Sequence, residues 1–154
     1  MSKKRVLFLC TGNSARSQMA EGLVDSFLGG TWEAFSAGTR PAGHVHPLAI
    51  QAMAELGIDI STYRTKSVDE FGQAQFDVVI TLCDEAARNG PAWLGQGHVT
   101  HMGFPDPAMA EGRAEERLQA FREVRDAIRQ QVLAYLEGPI DTGLEVRLDA
   151  TGIF

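Results

Sequence analysis

The chain has 154 residues, 44% of them apolar, with a net charge of −6. That is the length and composition of one globular domain able to bury a proper core, and no apolar run is long enough to cross a bilayer. The acidic balance argues against nucleic acid or an anionic membrane surface as partner, so any anion bound here must be captured by local geometry.

The start, Met1-Ser2-Lys3-Lys4-Arg5, is basic, but the apolar run behind it is too short for a signal peptide, which predicts a cytoplasmic protein. Only two cysteines occur, Cys10 and Cys83. They make no disulfide framework and suit a reducing compartment in which thiols do chemistry.

Residues 6–9, Val-Leu-Phe-Leu, read as a buried strand, and the segment from Ser17 has helix-forming residues at apolar spacing. Between them lies Cys10-Thr11-Gly12-Asn13-Ser14-Ala15-Arg16-Ser17. A loop at the carboxyl end of a strand and the amino end of a helix aims successive N–H groups and the helix dipole at one point, which makes an anion site. Gly12 and Asn13 tolerate the positive φ of a concave loop. A cysteine beside that dipole and a guanidinium is favoured as thiolate, the attacking form. Arg16 offers a planar fork for two oxygens of a tetrahedral oxyanion, and the Ser17 hydroxyl can donate to the cysteine sulfur and ease its departure.

Leu28-Gly29-Gly30 stops the helix, and 31–36 reads as a second strand. Residues 37–47 form a Pro/Gly loop whose His44 and His46, with no third ligand, read as surface residues, so no metal is expected. Pro47 opens a helix through 56 closed by Gly57, and 65–71 reads as a short helix with Ser67 and Glu70 in capping-box spacing. Residues 76–82 form a third strand, apolar enough to be central in a parallel sheet, with Cys83 just past its end as Cys10 lies past the first. With helical crossovers, both cysteines fall at the carboxyl edge, where such folds place their sites. A short helix over 84–88 is ended by Asn89-Gly90-Pro91, and 98–104 is the fourth strand. Asp106, held between Pro105 and Pro107, is stiffly presented, as a positioned general acid should be. The helix over 114–136 carries an apolar stripe of Leu118, Phe121, Val124, Ile128, Val132 and Tyr135. Beyond the domain of residues 1–137, the extension 138–154 includes an alternating stretch, 144–148, able to add to a sheet edge or another subunit.

The run CTGNSARSQMAEGL from Cys10 to Leu23 resembles the anion loop and first helix of the low-molecular-weight protein tyrosine phosphatase fold, above all its arsenate reductase branch. The resemblance continues through Phe35-Ser36-Ala37-Gly38, 57–61, Val79-Ile80-Thr81-Leu82-Cys83 and 101–108. It implies an α/β, flavodoxin-like three-layer sandwich with a four-stranded parallel sheet. It also implies Asp106 as general acid and Cys83 at the place of a resolving thiol. Asn13, Glu21 and Ser36 match residues that surround a potassium ion in some members, while the aligned fourth ligand is Lys66. Its ammonium is expected in the cation's place, orienting Asn13 through Glu21.

Three functions follow from these residues. The first is arsenate reductase: Cys10 attacks arsenate held by Arg16 and the loop amides of 11–16, with phosphate and sulfate as competing oxyanions, and a second thiol resolves the adduct to arsenite. The second is a phosphatase that hydrolyses a phosphocysteine. The third is a non-catalytic anion or flavin-phosphate module, which would need neither nucleophile nor acid. Cys83 favours the first, as does Ala108, which stands where the family's phosphatases place an aromatic residue. Thioredoxin-coupled members carry a third cysteine where this chain has Gly90. The expected reductant is therefore thioredoxin or glutaredoxin acting on a Cys10–Cys83 disulfide, or a low-molecular-weight thiol, with no bound cofactor.

Overall fold

A computed structural model describes residues 3–72, 74–90 and 98–138. The chain runs β1 (Lys4–Cys10), α1 (Arg16–Leu28), β2 (Trp32–Gly38), α2 (Pro47–Ala54), β3 (Val78–Thr81), α3 (Asp84–Asn89), β4 (His98–His101) and α4 (Ala114–Glu137). The strands form one parallel sheet in the order β2-β1-β3-β4. Val6, Leu7, Phe8 and Leu9 are all fully buried, as are the side chains of β3. Successive strand residues face opposite sides, so the two central strands are covered on both. β4, at the sheet edge, alternates half-buried with exposed positions.

The first crossover leads from β1 to β2, and the chain then returns to add β3 and β4 on the other side of β1. The strand order thus reverses between β1 and β3, the point at which open α/β sheets leave a crevice beyond their carboxyl ends. Leu9 pairs with Thr81, and the Leu82 N–H donates to the Leu9 carbonyl (2.8 Å). Cys10 and Cys83 therefore leave adjacent strands on the two sides of that crevice.

Most elements predicted from the sequence are present, with shifted ends. β1 begins at Lys4 and β2 continues to Gly38 because the two strands pair along their whole length. α2 ends at Ala54, where a reversal takes over: Gly57 N–H donates to Ala54 O, Ile58 N–H donates to Met53 O, and Gly57 adopts φ 76°. The expected helix over 65–71 is a single 3₁₀ turn, Val68–Phe71, which the Ser67 hydroxyl caps by accepting from Asp69 N–H. Glu70 instead pairs with Arg64 (2.9 Å). β3 and β4 are shorter than predicted, although Met102 and Phe104 still donate to the carbonyls of Thr81 and Leu82.

The α4 stripe is buried from Leu118 to Val132, but its last member is Leu136. Tyr135 is half-buried, its hydroxyl hydrogen-bonded to Thr100 (2.9 Å). α4 packs against α1 and α2, and α3 packs against β1 and β3. Among the described residues no helix is long and apolar enough to cross a membrane. The stretch 144–148 lies outside the described residues.

Candidate active site

The loop from Cys10 to Arg16 is folded by carbonyl bonds on its outer side. Thr39, Arg40, Ala42 and His46 donate their N–H groups to the carbonyls of Cys10, Thr11, Gly12 and Ser14. Among the described residues nothing accepts from the N–H groups of 12–15. α1 follows directly, and no side chain caps its start at Ala15. Backbone N–H groups without a protein acceptor, an uncapped helix N-terminus and Arg16 beside the Cys10 sulfur are a set of groups able to hold an anion.

Asn13 carries the bend, with φ 52°. Its Nδ2 donates to Ser17 Oγ (2.7 Å), while its Oδ1 accepts from Lys66 N–H (2.9 Å) and from Gln18 Nε2 (3.0 Å). Gln18 Nε2 also approaches the carbonyls of Asn13 (3.0 Å) and Arg64 (2.9 Å). Gly38 closes this support: a Cβ there would lie 2.5 Å from the Thr11 carbonyl, so only glycine lets the end of β2 approach the loop.

The sequence expectation that the Lys66 ammonium orients Asn13 through Glu21 is corrected by these contacts in one respect, the group that holds Asn13. The Lys66 ammonium donates to the Arg64 carbonyl (2.9 Å), and it is the Lys66 backbone N–H that holds Asn13. Glu21 accepts from the Ser36 hydroxyl (2.6 Å). Burial pushes the Glu21 carboxyl up, opposed by Ser36 and the Lys66 charge, and burial pulls the Lys66 amine down, opposed by Glu21. The two sense each other's charge across the support of the loop.

A hydroxyl stands beside each cysteine. Ser17 Oγ accepts from Asn13 and lies 2.9 Å from the buried Cys10 Sγ, to which its hydrogen can be donated. Thr11 Oγ1 donates to Glu85 Oε1 (2.8 Å) and stands 3.4 Å from Cys83 Sγ. Arg16 Nη1 donates to the Phe104 carbonyl (3.1 Å), and its Nη2 lies 3.8 Å from Asp106 Oδ2. Asp106 Oδ1 accepts from Ala108 N–H (3.0 Å), so this aspartate caps its turn and faces the loop arginine at once.

The structure thus brings together Cys10, Thr11, Arg16, Ser17, Cys83 and Asp106. Glu21 and Ser36 sit behind, as partners of each other. Gln18, Thr39 and Glu85 were not singled out from the sequence: Gln18 reads as an ordinary helix former, and Glu85 finds its threonines only through the fold. Both cysteines are free thiols. Among the described residues no three His, Cys, Asp or Glu side chains are grouped to hold a metal ion.

A family model for low molecular weight phosphotyrosine protein phosphatase matches residues 5–142. The arsenate reductase of Halalkalibacterium halodurans is 46% identical over 137 residues, which is 89% of this chain and 98% of that one. The arsenate reductase of Bacillus subtilis is 42% identical with the same coverage. Among solved structures, an arsenate reductase in its phosphate-binding state superposes with a TM-score of 0.71 at 33% identity, covering 87% of this chain and 97% of the other. A low molecular weight protein tyrosine phosphatase from T. tengcongensis gives 0.71 at 26% identity, covering 88% and 99%. A thioredoxin-dependent arsenate reductase of Corynebacterium glutamicum gives 0.63 at 29% identity, covering 86% of this chain and 61% of that one.

Proposed function

We propose that this chain, which belongs to the low molecular weight phosphotyrosine protein phosphatase family, reduces arsenate to arsenite. The observation that carries the reading is the pair of free cysteines on adjacent strand ends, one inside an anion cradle and the other joined to it through Thr11. Arsenate reductases at 42–46% identity over nearly their whole length support it.

In this reading the cradle amides of 11–16 and Arg16 hold the arsenate oxygens, and the Cys10 thiolate attacks arsenic. Asp106 gives a proton to the departing hydroxyl, which leaves as water. Ser17 donates to the sulfur. Asn13, Glu21, Ser36 and Lys66 support the loop. The Cys83 sulfur then attacks the Cys10 sulfur. As the S–S bond forms, the S–As bond breaks with its electron pair going to arsenic, so arsenic falls from the +5 to the +3 state and the two thiols become one disulfide.

An external thiol must return the disulfide to two thiols. The Corynebacterium glutamicum relative supports thioredoxin in this role. Gly90 stands where a third cysteine would carry the disulfide outward, so the reductant must reach the Cys10–Cys83 bond itself, or else glutaredoxin or a low-molecular-weight thiol takes its place.

A phosphatase reading shares the first step and draws on the family match; in it, water would hydrolyse a phosphocysteine. The two part in one experiment. Fully reduced protein is mixed with arsenate without other thiols and followed by intact mass, peptide mapping and arsenite release. A loss of two hydrogens with a Cys10–Cys83 crosslink is the expected result. An unchanged mass, no arsenite even with added glutathione or thioredoxin, and turnover of an aryl phosphate would overturn reduction in favour of hydrolysis.

A further inference from the structure

Gln18 is fully buried in the first turn of α1, whose N-cap is Ala15. Its Nε2 has three oxygens around it: the Asn13 carbonyl (3.0 Å), Asn13 Oδ1 (3.0 Å) and the Arg64 carbonyl (2.9 Å). Carbonyl oxygens only accept, so the nitrogen must be the end of the amide that faces them, and its two hydrogens are shared among the three. The other end, Oε1, is buried and has no partner among the described residues. Unpaired buried acceptors are few in native proteins, and each calls for a reason.

The reason lies in what the oxygen does not do. A glutamine at the third position of a helix can turn its oxygen back to the N–H of the N-cap residue and close a capping box. Here that N–H belongs to Ala15, and it is one of the loop N–H groups from which no described residue accepts. Gln18 faces the other way. Its nitrogen grips Asn13, the residue at φ 52°, by backbone and side chain at once, and ties it to the segment 64–66, whose Lys66 N–H donates to the same Oδ1 (2.9 Å).

We propose that Gln18 is a positioning residue for oxyanion binding: its nitrogen holds Asn13 in the left-handed turn, and its oxygen, by leaving the capping box open, keeps the Ala15 N–H for the anion. A methionine would fill the same space without holding Asn13. A glutamate cannot face three acceptors, so it would turn to the Ala15 N–H and compete with the anion from inside the protein. This role rests on the anion-binding step that reduction and hydrolysis share, and it holds whichever of the two follows.

The probe is inorganic sulfate, added to the fully reduced chain. One readout is the sulfate concentration that half-protects Cys10 from iodoacetamide, found by peptide mapping; the other is the amide proton shift of Ala15 by NMR. In the unaltered chain sulfate is expected to protect Cys10 and to move the Ala15 amide downfield. Gln18→Met is expected to raise the half-protecting concentration about fivefold or more, the equivalent of one lost hydrogen bond. Gln18→Glu is expected to raise it further and to show the Ala15 amide already downfield before sulfate is added, and it carries the test if the methionine variant folds poorly. A lower Tm with unchanged protection by sulfate would make Gln18 a packing residue and overturn the proposal. A glutamate variant whose Ala15 amide stays at its unaltered position would overturn it too, since charge repulsion alone then accounts for weaker binding. So would an Ala15 amide in the unaltered chain that does not respond to sulfate.

Arsenate-driven crosslinking of the otherwise unaltered protein, with Cys83→Ser as control, reports on the reductase reading alone. If no crosslink forms while the sulfate results hold, the function is wrong and the role of Gln18 is not.

Discussion

Ser17 has one hydrogen and stands between Asn13 and the Cys10 sulfur, 2.7 and 2.9 Å away. Asn13 fills one acceptor position, and when sulfur carries charge as nucleophile or as leaving group it can only accept, so the Ser17 hydrogen then goes to sulfur. Hydrogen bonds to charged groups contribute roughly 1.5–3 kcal/mol, or about ten- to a hundredfold in rate. Ser17→Ala is accordingly expected to lower single-turnover arsenite formation by that factor with little change in the arsenate concentration for half-maximal rate. A rise in that concentration at unchanged rate would make Ser17 a binding residue only. Cys10, Arg16, Ser17 and Asp106 were legible because each sits in a short run whose spacing carries the chemistry. Gln18 was not: its partners include the Arg64 carbonyl, which only tertiary folding brings alongside.

At the scale of elements, the start of α2 shows a signal that sequence reading passed over. His44 and His46 were read as surface residues of a loop, yet His46 is the N-cap: its Nδ1 accepts from Leu48 N–H (3.1 Å), and its ring packs against Phe121 of α4 at 4.7 Å. The bond needs an unprotonated Nδ1. Burial, reinforced by the charges of Arg117 and His44 and opposed by Asp106, pulls His46 below its ordinary value. The unfolded chain therefore binds the proton more readily than the folded one. The stability carried by this group is complete above the unfolded value of about 6.5 and is lost as pH falls from there through the lower folded value. Thermal unfolding between about pH 7 and 5 should thus show a smaller drop in Tm for His46→Asn, a good N-cap that does not titrate, than for the unaltered chain. Equal slopes would remove His46 from the acid response.

For the molecule as a whole, the sheet was legible because it rests on runs of consecutive apolar residues, and a chain buried on both faces has few other options. The packing of the helix layer was less so. The α4 stripe follows from 3.6-residue spacing, but nothing in that spacing marks Arg125, one residue past Val124, as buried. Its burial depends on α2. Arg125 Nη1 donates to the Ala52 carbonyl (2.9 Å) and to Glu55 (2.8 Å), and Nε donates to Asp126 (2.8 Å). Arg122, one turn away, reaches Glu55 and Glu115 at 2.8 and 2.7 Å.

The exposed members of this network contribute little alone, because solvent screens them. The bond to the Ala52 carbonyl is different, since its loss strands a buried acceptor next to the reversal that ends α2. Arg125→Met keeps the apolar stem and removes the donors. It should destabilise the chain by about 1–3 kcal/mol, and Tm falls by roughly 2–4 °C per kcal/mol at this size. Arg122→Met, which leaves Ala52 paired, should cost less than half as much. Equal losses would place the tie between α2 and α4 in the surface charges rather than in the one buried guanidinium.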